Sequence, residues 1–557
     1  MYRPVAFAAL ALAATTAAHA KKHHDDAPTA VVNSAPKLII AISVDQFSSD
    51  LFDEYRPTFS GGLKRLASGT SFSNGYQTHA ATETCPGHST ILTGDHPTRT
   101  GIIANNWVDL DAKRADKGIY CSEDESVAGS DSKNYTVSAV HLKVPTLGDR
   151  LKTLNPATRV VAVAGKDRAA IMMGGHSIDQ AWWWTSRNNA YQFVSFDGKQ
   201  APAPVRDANA KIVAMIKSGY SYPALPEACK PRVGKIDFGL NSIGIERAAM
   251  PAGTDTAAFA AAGAGIYTHP ALDQATLDIA LGFINDMKLG QGSAPDVLAI
   301  GLSVTDPVGH AFGTEGPEMC SQMSALDAAL GGFLDKLDAT GVAYEIVLTA
   351  DHGGHDIPER KGAPASFKRL DDSARPAKLD IDVGIELNVP NRLFYGDSSD
   401  GAGNLYVAHD LSADLRAKAT AAARAHLMQS AFVDSVFSRD EILTAQPHPA
   451  GPSDWSLLQR VAGSFDPIRS GDLYVVMKEG VQTVSDPSGS VMAHGSVWDY
   501  DRRVPILFYS KGAPTVTITT RIETVDIMPT LAAMTGLSLV AGDVDGKCLG
   551  AVAACAK

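Results

Sequence analysis

Three apolar runs, far apart along the chain, each lead directly into an aspartate. Leu38–Val44 runs into Asp45, Val297–Val304 into Asp306 just beyond it, and Ile346–Ala350 into Asp351. Short Ile-, Leu- and Val-rich runs without polar alternation mark strands buried on both faces, as in a helix-covered parallel sheet. The carboxyl ends of neighbouring strands in such a sheet face one crevice, where ligands bind. Histidines follow two of the three aspartates, in the Pro/Gly-containing turn expected at Asp306-Pro-Val-Gly-His310 and in Asp351-His352. Carboxylates and imidazoles gathered at one sheet edge predict a metal site.

Further strands are expected at Val160–Ala164 and Val504–Tyr509, and helices at Ala271–Met287, Cys320–Leu337, Leu411–Gln429 and Val525–Thr535. Strands alternating with helices give an α/β fold: a large, mostly parallel β-sheet flanked by helices on both faces. Residues 1–20 read as a signal peptide, with basic Arg3, an apolar stretch from Val5 to Ala18, and an Ala18-His19-Ala20 cleavage signal near Ala20/Lys21. The apolar stretch is too short to span a bilayer, so the expectation is a periplasmic or secreted protein without a membrane anchor. The following Lys21–Asp26 tract reads as a solvated leader. The mature chain, residues 21–557, exceeds what one simple core covers. Insertions forming a cap or side layer are expected at about 170–265, which holds Trp182-Trp183-Trp184, and at about 356–490. The tryptophans read as an aromatic cluster that packs an insertion onto the body.

The formal charge of −12 becomes −13 once Arg3 is removed, which argues against a nucleic-acid partner. A small anion drawn to a local positive centre remains compatible with that surface. Six cysteines form an even set suited to disulfides in an exported chain. Cys548 and Cys555 are close enough in sequence to pair, while the pairing of Cys85, Cys121, Cys229 and Cys320 stays open. The chain is expected as a monomer, with a homodimer as the alternative. Asp543-Val-Asp545-Gly546 has a superficial likeness to a calcium loop but lacks the downstream ligands of an EF-hand and reads as a surface turn; a peripheral Ca²⁺ is left open.

Thr82-Glu-Thr84-Cys-Pro-Gly-His88 places a hydroxyl at an expected helix start, with Thr84 as N-cap and Pro86 in the first turn. The positive end of a helix dipole is a natural seat for phosphate. Together with Val44-Asp45-Gln46, Gly101-Ile-Ile-Ala-Asn105, Asp306–His310, Ala350-Asp-His-Gly353, Ala493-His494-Gly-Ser496 and the Val525–Gly536 stretch, this motif resembles the alkaline phosphatase superfamily. The resemblance covers most of the mature chain and is greatest to the branch with a threonine nucleophile, which is related to the nucleotide pyrophosphatase/phosphodiesterases. It implies two Zn²⁺ per chain, one held by Asp306, His310 and His494, the other by Asp45, Asp351, His352 and the Thr84 oxygen. Zinc lowers the pKa of a bound water from about 15.7 to about 7, and a similar effect on threonine supplies an alkoxide without a histidine base. A phosphothreonine intermediate, then hydrolysed, is the implied course. His88 and His355 read as supporting groups, and His176, His269 and His409 as ordinary.

Lys166-Asp167-Arg168 follows the Val160–Ala164 strand and so lies at the same sheet edge. With Asn105 it is similar to the phosphate clamp of the threonine-type alkaline phosphatases, which the diesterase branch generally lacks. Two charge-assisted hydrogen bonds of about 1.5–3 kcal/mol each favour monoesters by roughly 10²–10⁴. The expected substrates are therefore small-molecule phosphate monoesters, with the nucleotide pyrophosphatase/phosphodiesterase reaction as the alternative. A sulfatase would need Cys-x-Pro-x-Arg, and Cys85-Pro86-Gly87-His88 does not supply it. A binding protein without turnover would have no use for Thr84.

Overall fold

The computed structural model describes residues 36–555 apart from 197–198, 240, 371–375, 397–402 and 447–450. The expected signal peptide and the Lys21–Asp26 leader lie outside the described residues. No helix among them is long and apolar enough to cross a membrane.

A ten-stranded sheet organises the molecule. From one edge its order is Val516–Ile518, Thr70–Tyr76, Arg503–Tyr509, Tyr344–Thr349, Leu38–Val44, Asp296–Leu302, Val160–Ala164, Gln180–Thr185 and Gln192–Val194, with Ile522–Glu523 beside Thr70–Tyr76. Leu38–Val44 is central and runs parallel to both Asp296–Leu302 and Tyr344–Thr349. The three strands that precede Asp45, Asp306 and Asp351 are thus adjacent, and their carboxyl ends open on one edge. Arg503–Tyr509 is antiparallel to both its neighbours, so the sheet is mixed at that side.

Every residue of Leu38–Val44 is buried. Side chains alternate across a strand. Leu38, Ile40, Ile42 and Val44 therefore join one apolar layer, with Phe283 and Leu330 from the helices Ala271–Asp286 and Pro317–Ala339. Ile39 and Ala41 join the opposite layer, with Ile91 and Ile171 from the helices Thr84–Thr93 and Asp167–Gly174. Truncating a fully buried residue such as Ile40 to alanine costs about 2–5 kcal/mol.

Residues 170–265 divide between body and cover. Gln180–Thr185, which carries the three tryptophans, and Gln192–Val194 extend the central sheet. Trp182 and Trp184 pack into one layer and Trp183 into the other, as strand alternation requires. Residues 356–490 carry a separate four-stranded antiparallel sheet with its own core around Phe394, Leu405 and Val475. Disulfides join Cys85 to Cys121, Cys229 to Cys320 and Cys548 to Cys555.

Candidate active site

Asp45 stands at the end of the central strand, 1% exposed, and the chain then turns sharply away through Gln46 in a left-handed conformation (φ 61°). Asp351 leaves the neighbouring strand and is fully buried. Its Oδ1 accepts hydrogen bonds from the backbone amides of Gln46 (3.1 Å) and His352 (3.0 Å), so its other oxygen faces inward. Asp306 does not lie in the expected turn. It occupies the first turn of a helix, Thr305–Phe312, where Pro307 is tolerated because the first amides have no helical partner. The helical spacing of four places His310 on the same face as Asp306, with Nε2 3.3 Å from Oδ1.

His494 arrives from the far end of the chain and sets its Nε2 3.3 Å from the same Asp306 oxygen. His352 Nε2 lies 3.5 Å from Asp45 and 3.4 Å from Asp351. In all three imidazoles Nδ1 is taken by a backbone carbonyl: Met492 for His310 (2.7 Å), Gly353 for His352 (2.9 Å) and Thr82 for His494 (2.9 Å). A carbonyl only accepts, so Nδ1 carries a proton in each ring and Nε2 is the nitrogen that faces the carboxylates. An imidazole nitrogen facing carboxylates calls for positive charge between them, either a metal ion or a proton. Among the described residues, Asp45 Oδ1 and His352 Nε2 are also buried without hydrogen-bond partners. The ligand atoms of Asp306, His310 and His494, and those of Asp45, Asp351 and His352, lie within 4.8 Å of one another in each group. Both groups fit a divalent ion on donor chemistry, and the carbonyl-held Nδ1 atoms supply the orienting outer contacts that such sites use.

Burial, the Asp351 charge and Asp306 hold the Asp45 carboxyl well above its ordinary range, despite the opposing Lys166. Burial also pushes His352 down to about 3, which keeps its imidazole neutral. Burial opposes charge on His494, yet its hydrogen bond to Asp306 outweighs burial and pushes its pKa up to about 9.

Thr84 is 1% exposed and opens the helix Thr84–Thr93, with Glu83 rather than Thr84 as its N-cap. This helix can approach the segment that carries Asp351 because residue 87 is glycine, where a Cβ would run into the Asp351 backbone carbonyl. His88 Nδ1 contacts the Thr84 carbonyl (2.8 Å) and Asp351 (3.1 Å), a supporting position rather than a ligand. Lys166 is 3% exposed, and its ammonium lies 2.7 Å from Asp45, 2.6 Å from Asp306 and 3.5 Å from Thr84 Oγ. Burial disfavours its charge, but Asp306 and Asp45 outweigh that and hold it protonated. Arg168 places Nη2 3.4 Å from Thr84 Oγ. Asn105 comes to the same place by its side-chain oxygen, which accepts from the Cys85 amide at 2.8 Å.

Other expected residues fall elsewhere. His355 bonds the Asp356 carbonyl, His176 contacts Asp149, His269 contacts the Ser221 carbonyl and His409 lies beside Asp111. In the Asp543–Gly546 turn, Asp545 contacts His96 (3.2 Å) and Arg99 (3.0 Å). Sequence reasoning missed Tyr120, whose hydroxyl reaches both Asp167 (2.6 Å) and Arg168 (3.3 Å). Trp183 and Trp184 line a cavity of about 460 Å³ that opens beside Lys166 and Arg168.

The type I phosphodiesterase/nucleotide pyrophosphatase family model matches residues 39–498. Alkaline phosphatase PhoK of Sphingomonas sp. is 48% identical over 534 residues, which are 94% of this chain and 92% of that protein. Alkaline phosphatase PhoD of Zymomonas mobilis is 46% identical over 523 residues, 93% of this chain and 88% of that protein. The solved structure of alkaline phosphatase PafA shares the fold, with a TM-score of 0.78 at 24% identity over 94% of this chain and 100% of that one. The chain belongs to the type I phosphodiesterase/nucleotide pyrophosphatase family, within the alkaline phosphatase superfamily.

Proposed function

We propose that this protein is an exported, zinc-dependent alkaline phosphatase that hydrolyses small-molecule phosphate monoesters through a phosphothreonine at Thr84. Three disulfides fit an oxidising, extracytoplasmic compartment. Asp306, His310 and His494 would hold one Zn²⁺, and Asp45, Asp351 and His352, with the Thr84 oxygen, the other. When bound, the ions supply positive charge that lowers the pKa of a coordinated hydroxyl and attracts a phosphate dianion.

The observation that carries the monoesterase reading is the convergence of Lys166 and Arg168 on the Thr84 oxygen, at 3.5 and 3.4 Å. A monoester presents more charge on its terminal oxygens than a diester does, so two buried or half-buried cations at the nucleophile favour it. Thr84 Oγ forms a bond to phosphorus as the alcohol oxygen departs with the ester group. Water then cleaves the phosphothreonine and returns the hydroxyl. Lys166, Arg168 and Asn105 orient the phosphoryl oxygens throughout. Placing the nucleophile at the first turn of a helix adds a favourable dipole for the transferring anion.

The family description also favours a second reading, a nucleotide pyrophosphatase/phosphodiesterase. The two are separated by kcat/KM on para-nitrophenyl phosphate against bis-para-nitrophenyl phosphate. The monoesterase reading expects the first to exceed the second by at least about 10², from two charge-assisted contacts. Equal values, or a preference for the bis-ester, would overturn it.

A further inference from the structure

Arg168 has an unusual set of partners for a cation in this setting. Among the described residues its guanidinium hydrogen-bonds only Thr84 Oγ, at 3.4 Å, and the Tyr120 hydroxyl, at 3.3 Å. Among the described residues no carboxylate forms an ion pair with it, although Asp167 is its sequence neighbour. Asp167 accepts instead from two phenols, Tyr120 (2.6 Å) and Tyr135 (2.7 Å), and from the Arg168 backbone amide (2.7 Å), with Arg187 at 3.5 Å. The Tyr120 hydroxyl therefore donates to Asp167 and accepts from Arg168, standing between the carboxylate and the guanidinium. A guanidinium paired bidentately with a carboxylate has given its donors away, whereas one held by a phenol keeps most of its charge for an incoming anion.

Tyr120 is itself fixed to the nucleophile. The next residue, Cys121, is disulfide-bonded to Cys85, which follows Thr84, and the Cys121 amide donates to the Asn105 carbonyl at 3.0 Å. A closed circuit results: Thr84, Cys85, Cys121, Tyr120, Arg168, and back to Thr84. Tyr120 is 6% exposed, and burial together with Asp167 raises its pKa, so its proton stays in place as a donor through the alkaline range.

We infer that Tyr120 is a positioning residue for monoester selectivity: its hydroxyl spaces Arg168 from Asp167 and so keeps the guanidinium available to the phosphate dianion beside Thr84. The inference rests on the phosphomonoesterase reading and deepens it.

The test is Tyr120→Phe, assayed on para-nitrophenyl phosphate and its bis-ester and by inhibition with inorganic phosphate. Without the hydroxyl, Arg168 turns to Asp167. The monoester kcat/KM is expected to fall about tenfold, the effect of one hydrogen bond to a charged group, while the bis-ester changes by less than about threefold. Inorganic phosphate inhibition weakens by a similar factor. Tyr120→Phe in an Arg168→Ala background adds less than about twofold, because both changes act through one guanidinium. Adding Asp167→Asn to Tyr120→Phe removes the competing carboxylate and restores monoester activity by about threefold or more. Should Tyr120→Phe misfold, Asp167→Asn alone is read instead: with no carboxylate to draw Arg168 away, monoester kcat/KM is expected to hold within about threefold of wild type, and a larger loss would overturn the inference. Equal losses on both esters, additive losses with Arg168→Ala, or a further loss with Asp167→Asn would overturn the inference. A wild-type enzyme that prefers the bis-ester would instead sink the monoesterase reading itself.

Discussion

Lys166 has two separable duties, and Lys166→Met tests them together. Its ammonium touches two buried carboxylates, Asp45 and Asp306, and stands beside Thr84. Methionine keeps most of the stem volume and removes the charge. In the presence of a chelator, the variant leaves those carboxylates without a counterion. Breaking a buried pair by removing one partner costs about 3–5 kcal/mol. With zinc bound, the ions neutralise the same oxygens, so the deficit should shrink to about 1 kcal/mol, the scale of lost packing for a near-isosteric change. Catalysis responds differently: loss of one charge-assisted contact to phosphate lowers monoester kcat/KM by about 10–10² even when zinc is saturating. The assay is guanidinium-induced unfolding of wild type and variant, each with EDTA and with zinc, beside initial rates on para-nitrophenyl phosphate. A variant as stable as wild type in EDTA, or equally destabilised with and without zinc, would refute the argument that Lys166 and the metal ions serve the same carboxylates.

Thr84→Ala should abolish turnover of para-nitrophenyl phosphate while bound zinc, measured by atomic emission, stays as in wild type; substantial residual hydrolysis would remove threonine from the nucleophile role. His494→Ala should lose one of the bound ions, and unchanged metal content would show that another late histidine is the ligand. Away from the site, His96 is held between Glu523 (2.9 Å) and Asp545 (3.2 Å). Burial opposes its charge, but these hydrogen bonds outweigh burial and push its pKa up from 6.5 to about 10. Because the folded value is the higher one, the stabilisation is complete below pH 6.5 and fades as pH rises through about 10. His96→Gln should therefore be destabilising at neutral pH and converge with wild type above about pH 10 in urea unfolding, and a constant gap would contradict the linkage.

The part of this architecture written most clearly in the sequence is the part with uniform apolar runs. Leu38–Val44 and Val160–Ala164 occupy the bounds their composition implies, and the aspartates that follow the central runs lie at adjacent strand ends. Asp45, Asp351 and His352 stand out for a related reason, since each follows a buried strand, whereas His494 lies in an irregular segment and is singled out only by the family resemblance. The Trp182–Trp184 strand was harder to read, because three consecutive large aromatics hide the alternation that a two-sided strand imposes on smaller residues. Asp306–His310 looked like a turn because Pro307 and Gly309 break helices, yet both are accommodated in a short one. Tyr120 gave no local signal at all. Its importance depends on Asp167 and Arg168, 47 and 48 residues away, and on a disulfide that spacing does not predict.

At Gly87 the contact between the nucleophile's helix and the Asp351 segment is main chain against main chain, with no side chain acting as a shim. The spacing between the Thr84–Thr93 helix and the Asp351 segment is consequently set by peptide geometry rather than by rotamer choice. Exchanges at 105, 120, 166 or 168 can then retune which ester is preferred without altering the reach of the attack, so this scaffold can change its clientele while its working distances stay the same.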